Sequence, residues 1–246
     1  MSYNYEKYIG VYEFPVFLQG INKEIKIRPL TTRDIKKILI YENEEDIIKL
    51  EEVVDIIFDN CIIDEGFNTD DLYIQDRYTL LLELRKITKG TEYQYTNECG
   101  KCRGDFIVTV NLENIKIKEK KEIDNNVPIL NGNLTLKLDF ITRGEQIEAY
   151  KSLKNQKLSD SEKMIEMVLL NLAQSVKSII SKEGEDTDIP LSDKLEFVQD
   201  LPRKELDTIR NWYSDNEFGA DLTITEECPH CGYKEERNIN INNFFD

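Results

Sequence analysis

A single histidine, His230, in a chain of 246 residues removes most acid–base and nucleophilic enzyme chemistry at the outset. It sits between two cysteines in "CPHC", so a Ser-His-Asp triad and a separate Cys-His pair are both excluded by inventory. No Gly-rich phosphate loop and no HExxH sequence occurs. Basic residues are scarce too: 32 Lys and Arg stand against 48 Asp and Glu, a formal net charge of −16. That charge repels a phosphate backbone, whose binding rests on Lys and Arg displacing counterions, so no nucleic-acid partner is expected. No apolar run approaches the roughly 20 residues of a membrane-spanning helix, so no membrane span is expected. The opening "MSYNYEKYIGVYEF" lacks a basic n-region and an apolar h-region, which predicts no signal peptide and a cytosolic, thiol-reducing compartment.

What remains is the composition of a globular protein, 40% hydrophobic and 33% charged, long enough for one large domain or two ordinary ones without disulfide support. Cysteine is rare, with five in all, yet four of them form two CxxC pairs: Cys99 and Cys102 in "NECGKCRG", Cys228 and Cys231 in "EECPHCGYKEERN". In a reducing compartment such pairs point to metal or catalysis before disulfides.

Sliding the chain on itself by 129 positions, the step from Cys99 to Cys228, lays "GTEYQYTNECGKC" over "GADLTITEECPHC" without a gap. Gly90 meets Gly219, Thr96 meets Thr225, Glu98 meets Glu227, and beyond the cysteines Asn111 meets Asn240 and Asn114 meets Asn243. Upstream, Leu50, Val53, Val54, Ile57, Phe58 and Cys61 form a helical stripe whose steps recur in Ile165, Val168, Leu169, Leu172, Ala173 and Val176. Still earlier, "FPVFLQGINKEIKIRPLTTRD" resembles "VPILNGNLTLKLDFITRGE", each reading as a β-hairpin with a Gly-containing turn. Lys26 and Lys137 lie 111 positions apart, so the second half carries extra residues, placed in the acidic loop "SKEGEDTD" and a helix after Pro202. The expected fold is α+β and internally duplicated: residues 1–120 carry the knuckle of Cys99 and Cys102, residues 121–246 that of Cys228 and Cys231, and the two pack as one unit. The boundary is expected in the charged stretch "NIKIKEKKEIDNNV".

A redox CxxC of thioredoxin type opens a helix whose N-terminus lowers the thiol pKa. Here "RGDFIVTV" follows Cys102, a glycine and then strand-like alternation, so the pair is expected at the tip of a hairpin, as in a zinc knuckle. Two knuckles supply four thiolates, enough for one closed tetrahedral Zn2+ site made by Cys99, Cys102, Cys228 and Cys231. Redox use of the pairs and idle reduced thiols are the competing readings. His230 is expected to face solvent at its knuckle. Lys101, Arg103 and Lys234 are placed to offset the charge of a four-thiolate centre, or are plain surface residues. Cys61, on an apolar stripe, is expected in the core.

Aromatic residues crowd both ends, Tyr3, Tyr5, Tyr8, Tyr12 and Phe14 at one and Phe244 and Phe245 at the other; they are read as folding back onto the protein, with partner anchoring as the alternative. "KIKEKKE" (116–122) reads as a solvated linker, and "EGEDTD" (183–188) lacks EF-hand spacing. Asp70 or Asp71 and Asp200 read as helix N-caps.

"IKIRPLTTRD", "YQYTNECGKC" and the terminal "CPHCGYKEERNININNFF" together resemble the T4-type phage baseplate hub and hub-assembly proteins of contractile tails, from about residue 11 to 246. The first knuckle, CGKC, lacks the proline of the second. The resemblance implies a non-enzymatic structural or chaperone-like role exercised by binding other baseplate, hub and tail proteins, in the host cytoplasm during assembly or in the virion baseplate. Homo-oligomerisation is compatible with it. It transfers no catalytic residue, and carries over the metal positions as the same four cysteines. A zinc-ribbon nucleic-acid-binding or regulatory protein and a thiol oxidoreductase are the alternatives that the chemistry leaves open.

Overall fold

Alternation builds the first element. Val16 and Leu18 are buried between exposed neighbours on β1 (Phe14–Leu18), Ile25 and Ile27 on β2 (Lys23–Ile27), and the two strands pair antiparallel with Val16 opposite Ile25. The turn contains Gly20, but the left-handed backbone falls at Asn22, φ 49°, a residue type that tolerates it. The computed structural model describes residues 12–39, 47–153, 156–240 and 244–245; Tyr3, Tyr5, Tyr8 and Asn243 lie outside the described residues.

Two compact units divide the chain: residues 1–67, 76–118 and 219–246 form one, 68–75 and 119–218 the other. The units are therefore a different partition from the sequence halves 1–120 and 121–246, because the last 28 residues, second knuckle included, join the unit of the first.

In the first unit β1–β2 is followed by α1 (Thr32–Leu39), α2 (Ile47–Cys61) and α3 (Ile74–Lys89), whose first two residues belong to the second unit. The hairpin of β3 (Glu92–Glu98) and β4 (Asp105–Asn111) comes next, then β5 (Ile117–Lys118). The α2 stripe is as read: Val53, Ile57, Phe58 and Cys61 are buried. Burial pushes the Cys61 thiol up to about 12, far from the thiolate that redox chemistry needs. From α3, Arg77 is buried against α2 with Asp55 at 2.7 Å, Glu51 at 2.9 Å and its guanidinium 5.1 Å from the Phe58 ring centre.

At the start of α1, Thr31 and Asp34 bond reciprocally: Asp34 accepts from the Thr31 N–H at 2.9 Å and hydroxyl at 2.7 Å, and its own N–H donates to Thr31 Oγ1. Burial alone would raise the Asp34 pKa, but Arg28 at 2.8 Å and the Thr31 donors outweigh it and hold the carboxyl at about 2. A carboxyl depressed from an unfolded value near 3.9 contributes stability that is complete above that pH and is lost as pH falls through about 2. Discounted for the solvent that reaches Arg28, this amounts to about 1 kcal/mol. Asp34→Asn is expected to flatten the acid limb of stability between pH 4 and 2, measured by urea unfolding at stepped pH; an unchanged limb would remove Asp34 from the account.

The second unit holds a four-stranded antiparallel sheet, order β6 (Asn126–Ile129), β7 (Leu134–Leu138), β8 (Val176–Ser181), β9 (Gly184–Asp186). Its helices are α4 (Arg143–Lys151), α5 (Asp160–Ser175), α6 (Leu191–Asp200) and α7 (Arg203–Asn216). Capping boxes start α4 at Thr142/Glu145 and α5 at Ser159/Glu162. Leu136, Leu138, Phe140, Val176, Val198, Ile209, Trp212 and Phe218 form the core, with the Phe140 ring in contact with Trp212, Tyr213 and Phe218 at 5.0–5.3 Å.

Several readings need correction. Part of the acidic loop "SKEGEDTD" is strand: Ser181 ends β8, Lys182 and Glu183 make the turn, and Gly184–Asp186 form β9. On α5 the stripe holds only in part: Leu169, Leu172 and Ala173 reach the core, with Val176 just beyond the helix. Ile165 and Val168 are 60% and 50% exposed, and Met167 and Leu170 are buried instead, because "MIEMVLLNLA" is apolar around much of its circumference. Asp70 and Asp71 lie inside a 3-10 turn capped by Asn68, and Asp200 is the last residue of α6, with Pro202 preceding α7. Within "KIKEKKE", Ile117 and Lys118 pair as β5 with β10 (Gly219–Ala220), in the first unit. In the second unit Lys120 covers the Tyr73 ring at 4.1 Å.

Candidate metal centre

The site grows from two hairpins, β3–β4 and the pair β11 (Thr223–Glu227) and β12 (Lys234–Asn238), both in the first unit. Each CxxC occupies the hairpin tip. In the first knuckle the Cys99 N–H donates to the Gly104 carbonyl at 3.1 Å and the Arg103 N–H to the Cys99 carbonyl at 3.0 Å. In the second the Cys228 N–H donates to the Tyr233 carbonyl and the Gly232 N–H to the Cys228 carbonyl, both at 2.9 Å. Both pairs of bonds coincide at the 129-residue offset, and so do the left-handed residues Arg103 (φ 61°) and Gly232 (φ 68°), and Gly90 and Gly219 below them. The strand registers coincide as well: Gln94 faces Thr109 through Glu98 facing Asp105, and Thr223 faces Asn238 through Glu227 facing Lys234.

These tips bring the four sulfurs together, all within 4.8 Å of one another. Two contacts cross between the hairpins, Cys99 to Cys231 and Cys102 to Cys228, each 3.7 Å. A disulfide needs about 2.05 Å, whereas four thiolates about 2.3 Å from a central ion lie about 3.8 Å apart. The spacing is that of a metal cage. Cys99 and Cys228 are buried, Cys102 and Cys231 exposed, so each knuckle offers one inner and one outer sulfur. The Cys102 N–H, helped by that of Lys101 and by neighbouring thiols, holds the Cys99 thiol down to about 6 against desolvation. The Tyr233 N–H acts to lower Cys231, but desolvation and the other three sulfurs push it up to about 12. One negative charge among four sulfurs thus opposes the next, a repulsion that a bound dication would relieve.

Behind the sulfurs lies a polar network that the sequence reading missed. Glu226, 6% exposed, accepts from the Tyr95 hydroxyl at 2.5 Å and from Asn97 Nδ2, while Arg237 donates to Asn97 Oδ1 at 3.1 Å and pairs with Glu235 at 2.7 Å. It links β3 to both β11 and β12. Burial and the Glu226 carboxylate raise the Tyr95 pKa, so the phenol stays a donor. The signal was present: Asn97 and Glu226 are equivalent at the 129-residue offset, both polar at a position two residues before a buried cysteine on the same strand face.

His230 is exposed, as read, but is not free: its Nε2–H donates to the Asp105 carbonyl at 3.0 Å, and a side chain at Gly104 would meet its ring at 3.1 Å. Arg103 pairs with Glu98 and is also drawn toward the Cys99 sulfur, while Lys234 pairs with Glu227. Phe244 and Phe245 do fold back; Phe244 sets its edge on Tyr93 at 4.7 Å, whose hydroxyl donates to the Asn240 carbonyl. Tyr12 is 66% exposed and does not.

Residues 11–246 match the family model of the T4 bacteriophage base plate protein. Searches among curated proteins and among solved structures returned no match.

Proposed function

Because the chain belongs to the T4 bacteriophage base plate protein family, we propose that it is a non-enzymatic structural or assembly protein of the baseplate hub, acting by binding other tail proteins. Cys99, Cys102, Cys228 and Cys231 hold one structural zinc ion within the chain. The observation that carries the zinc reading is the convergence of four sulfurs from two hairpin tips at cage spacing. Strands, not helices, follow both CxxC pairs, which removes the helix N-terminus that activates a redox thiol. The net charge of −16 argues against nucleic acid.

Residues 1–120 and 121–246 are pseudo-repeats. Supporting this, β6–β7 repeats the register of β1–β2 at an offset of 111, Val16 opposite Ile25 becoming Val127 opposite Leu136. The reciprocal cap of Thr31 and Asp34 recurs as Thr142 and Glu145 at that same offset. With β11–β12 matching β3–β4 at 129, both ends of each half keep their pairing while the middle of the second half has grown. Assembly in the host cytoplasm and a place in the tail follow from the family role.

Native mass spectrometry of protein purified under reducing conditions, alone and mixed with other baseplate proteins, tests both parts. The expected result is one zinc per chain and a mixed complex. Zinc seen only in a dimer would move the cage between chains, and zinc-free protein whose thiols oxidise in pairs would return the redox reading.

A further inference from the structure

An open cleft of about 600 Å³ runs along the first unit between β4 and β11. Residues 106–111 line one wall and 223–227 the other, without skipping alternate positions. A sheet face shows every second residue, so consecutive lining means that the cleft runs along two strand edges. Neither β4 nor β11 has a second strand neighbour among the described residues.

The hydrogen-bond phase says which groups these edges present. The Leu112 N–H donates to the Thr91 carbonyl and the Cys99 N–H to the Gly104 carbonyl. Bonded pairs alternate in an antiparallel ladder, so Tyr93/Val110, Tyr95/Val108 and Asn97/Phe106 exchange bonds. The N–H and C=O of Ile107 and Thr109 therefore point away from β3, toward the cleft side. On the opposite wall, the bonds Cys228 to Tyr233 and Ile239 to Leu222 set the phase, and Thr225 and Glu227 point away from β12. Asp105 and Thr223, which share this orientation, are already engaged, the first by His230 and the second by the Asp221 side chain. Ile107 is 70% exposed beside this edge, and the lining sets the carboxylates of Asp221 and Glu227 against the single Lys116. Glu226 is turned inward onto Tyr95 and Asn97, while Asp221 and Glu227 are also reached by Lys118 and Lys234.

We propose that this cleft takes one extended segment of another tail protein, which adds as a strand to the free edge of β4. Main-chain bonds to Ile107 and Thr109 supply the register, alternate apolar side chains cover Ile107, and flanking Lys or Arg residues answer the acidic wall. The partner is a different protein and not a second copy, because two chains of −16 would bring like-charged edges together. The proposal rests on the assembly reading above.

Thr109→Pro is the decisive variant. Its N–H serves no bond to β3, so proline at this edge removes a donor to the segment while leaving the β3–β4 ladder in place. Ile107→Lys, at an exposed position, repels a basic segment and provides a second variant should the proline unfold the hairpin. Binding of full-length, metal-loaded protein to each of the other baseplate proteins is measured by titration, with amide hydrogen exchange on the complex. Expected are protection of the Ile107 and Thr109 amides in the complex and at least a tenfold loss of affinity in each variant. A complex that both variants leave unchanged overturns the edge site while the assembly role stands. If no baseplate protein binds, the assembly role fails, and the synthetic peptide Lys-(Thr-Val)3-Lys decides the edge by itself. Protection of Ile107 and Thr109 by that peptide, at least tenfold stronger than by its Glu-flanked counterpart, keeps the site; its absence overturns it. Protection that grows with protein concentration alone assigns the edge to a second copy and also overturns the proposal.

Discussion

Removal of the zinc ion proposed for the four-cysteine cluster is expected to open the knuckle ends of β3–β4 and β11–β12 and to lower stability more than any single core substitution. Structural zinc contributes about 10–16 kcal/mol of apparent binding free energy in small peptides, comparable with the whole stability of a domain. Both hairpins are two-stranded sheets, which are marginal without further support. Here the support is the cage, the Glu226 network and the Tyr93–Phe244 contact. Cys228→Ser takes away one inner ligand and is expected to cost at least about 5 kcal/mol, a fall in melting temperature of about 10 °C or more for a chain of this size. Chelation of the wild-type protein should raise amide exchange across β3, β4, β11 and β12, and zinc should restore the protection. Cys61→Ser serves as the control: it touches the core and leaves the response to chelator unchanged. A melting curve and exchange pattern indifferent to chelator would sink the structural-metal reading.

Phe140→Ala is expected to destabilise the second unit by about 3–5 kcal/mol, the usual cost of deleting a fully buried phenylalanine. The ring is 1% exposed and meets Trp212, Tyr213 and Phe218, so its loss empties the middle of an aromatic cluster that the small Ala173 nearby does not fill. Trp212 is the only tryptophan and lies in that cluster, which makes its fluorescence in urea a direct readout. Val168→Ala, on the exposed face of α5, should shift the midpoint by no more than about 0.5 kcal/mol. Equal effects of the two substitutions would mean that the cluster does not carry the unit.

Much of the secondary structure was legible because it is a local property. Val16, Leu18, Ile25 and Ile27 alternate with polar neighbours, and that period specifies a strand whatever lies elsewhere in the chain. The α2 stripe was legible for the same reason, whereas the α5 stripe was legible only toward its C-terminal end, where Leu169, Leu172 and Ala173 reach the core; nearer its start, a helix apolar on several sides has no preferred burial direction until its neighbours are in place. The hairpin of β8 and β9 was hidden because "SKEGED" carries the charge and glycine of a loop, and its pairing comes from β7 on the other side of β8.

At the candidate metal centre, the two CxxC spacings and the residues after them determined the candidate ligands and the hairpin tips, because spacing and alternation are written along the chain. The register likeness of the two halves was likewise implicit in gapless offsets. Only the tertiary structure decided that the second knuckle joins the unit of the first, that Asn97 and Glu226 bond to each other behind the sulfurs, and that His230 reaches across to Asp105. It alone brought Cys99 to 3.7 Å from Cys231 and Cys102 to 3.7 Å from Cys228. Those partners stand more than a hundred residues apart, so no local pattern encodes their meeting; it follows from packing that pairs whole hairpins, after which side-chain chemistry selects what the resulting cage can hold.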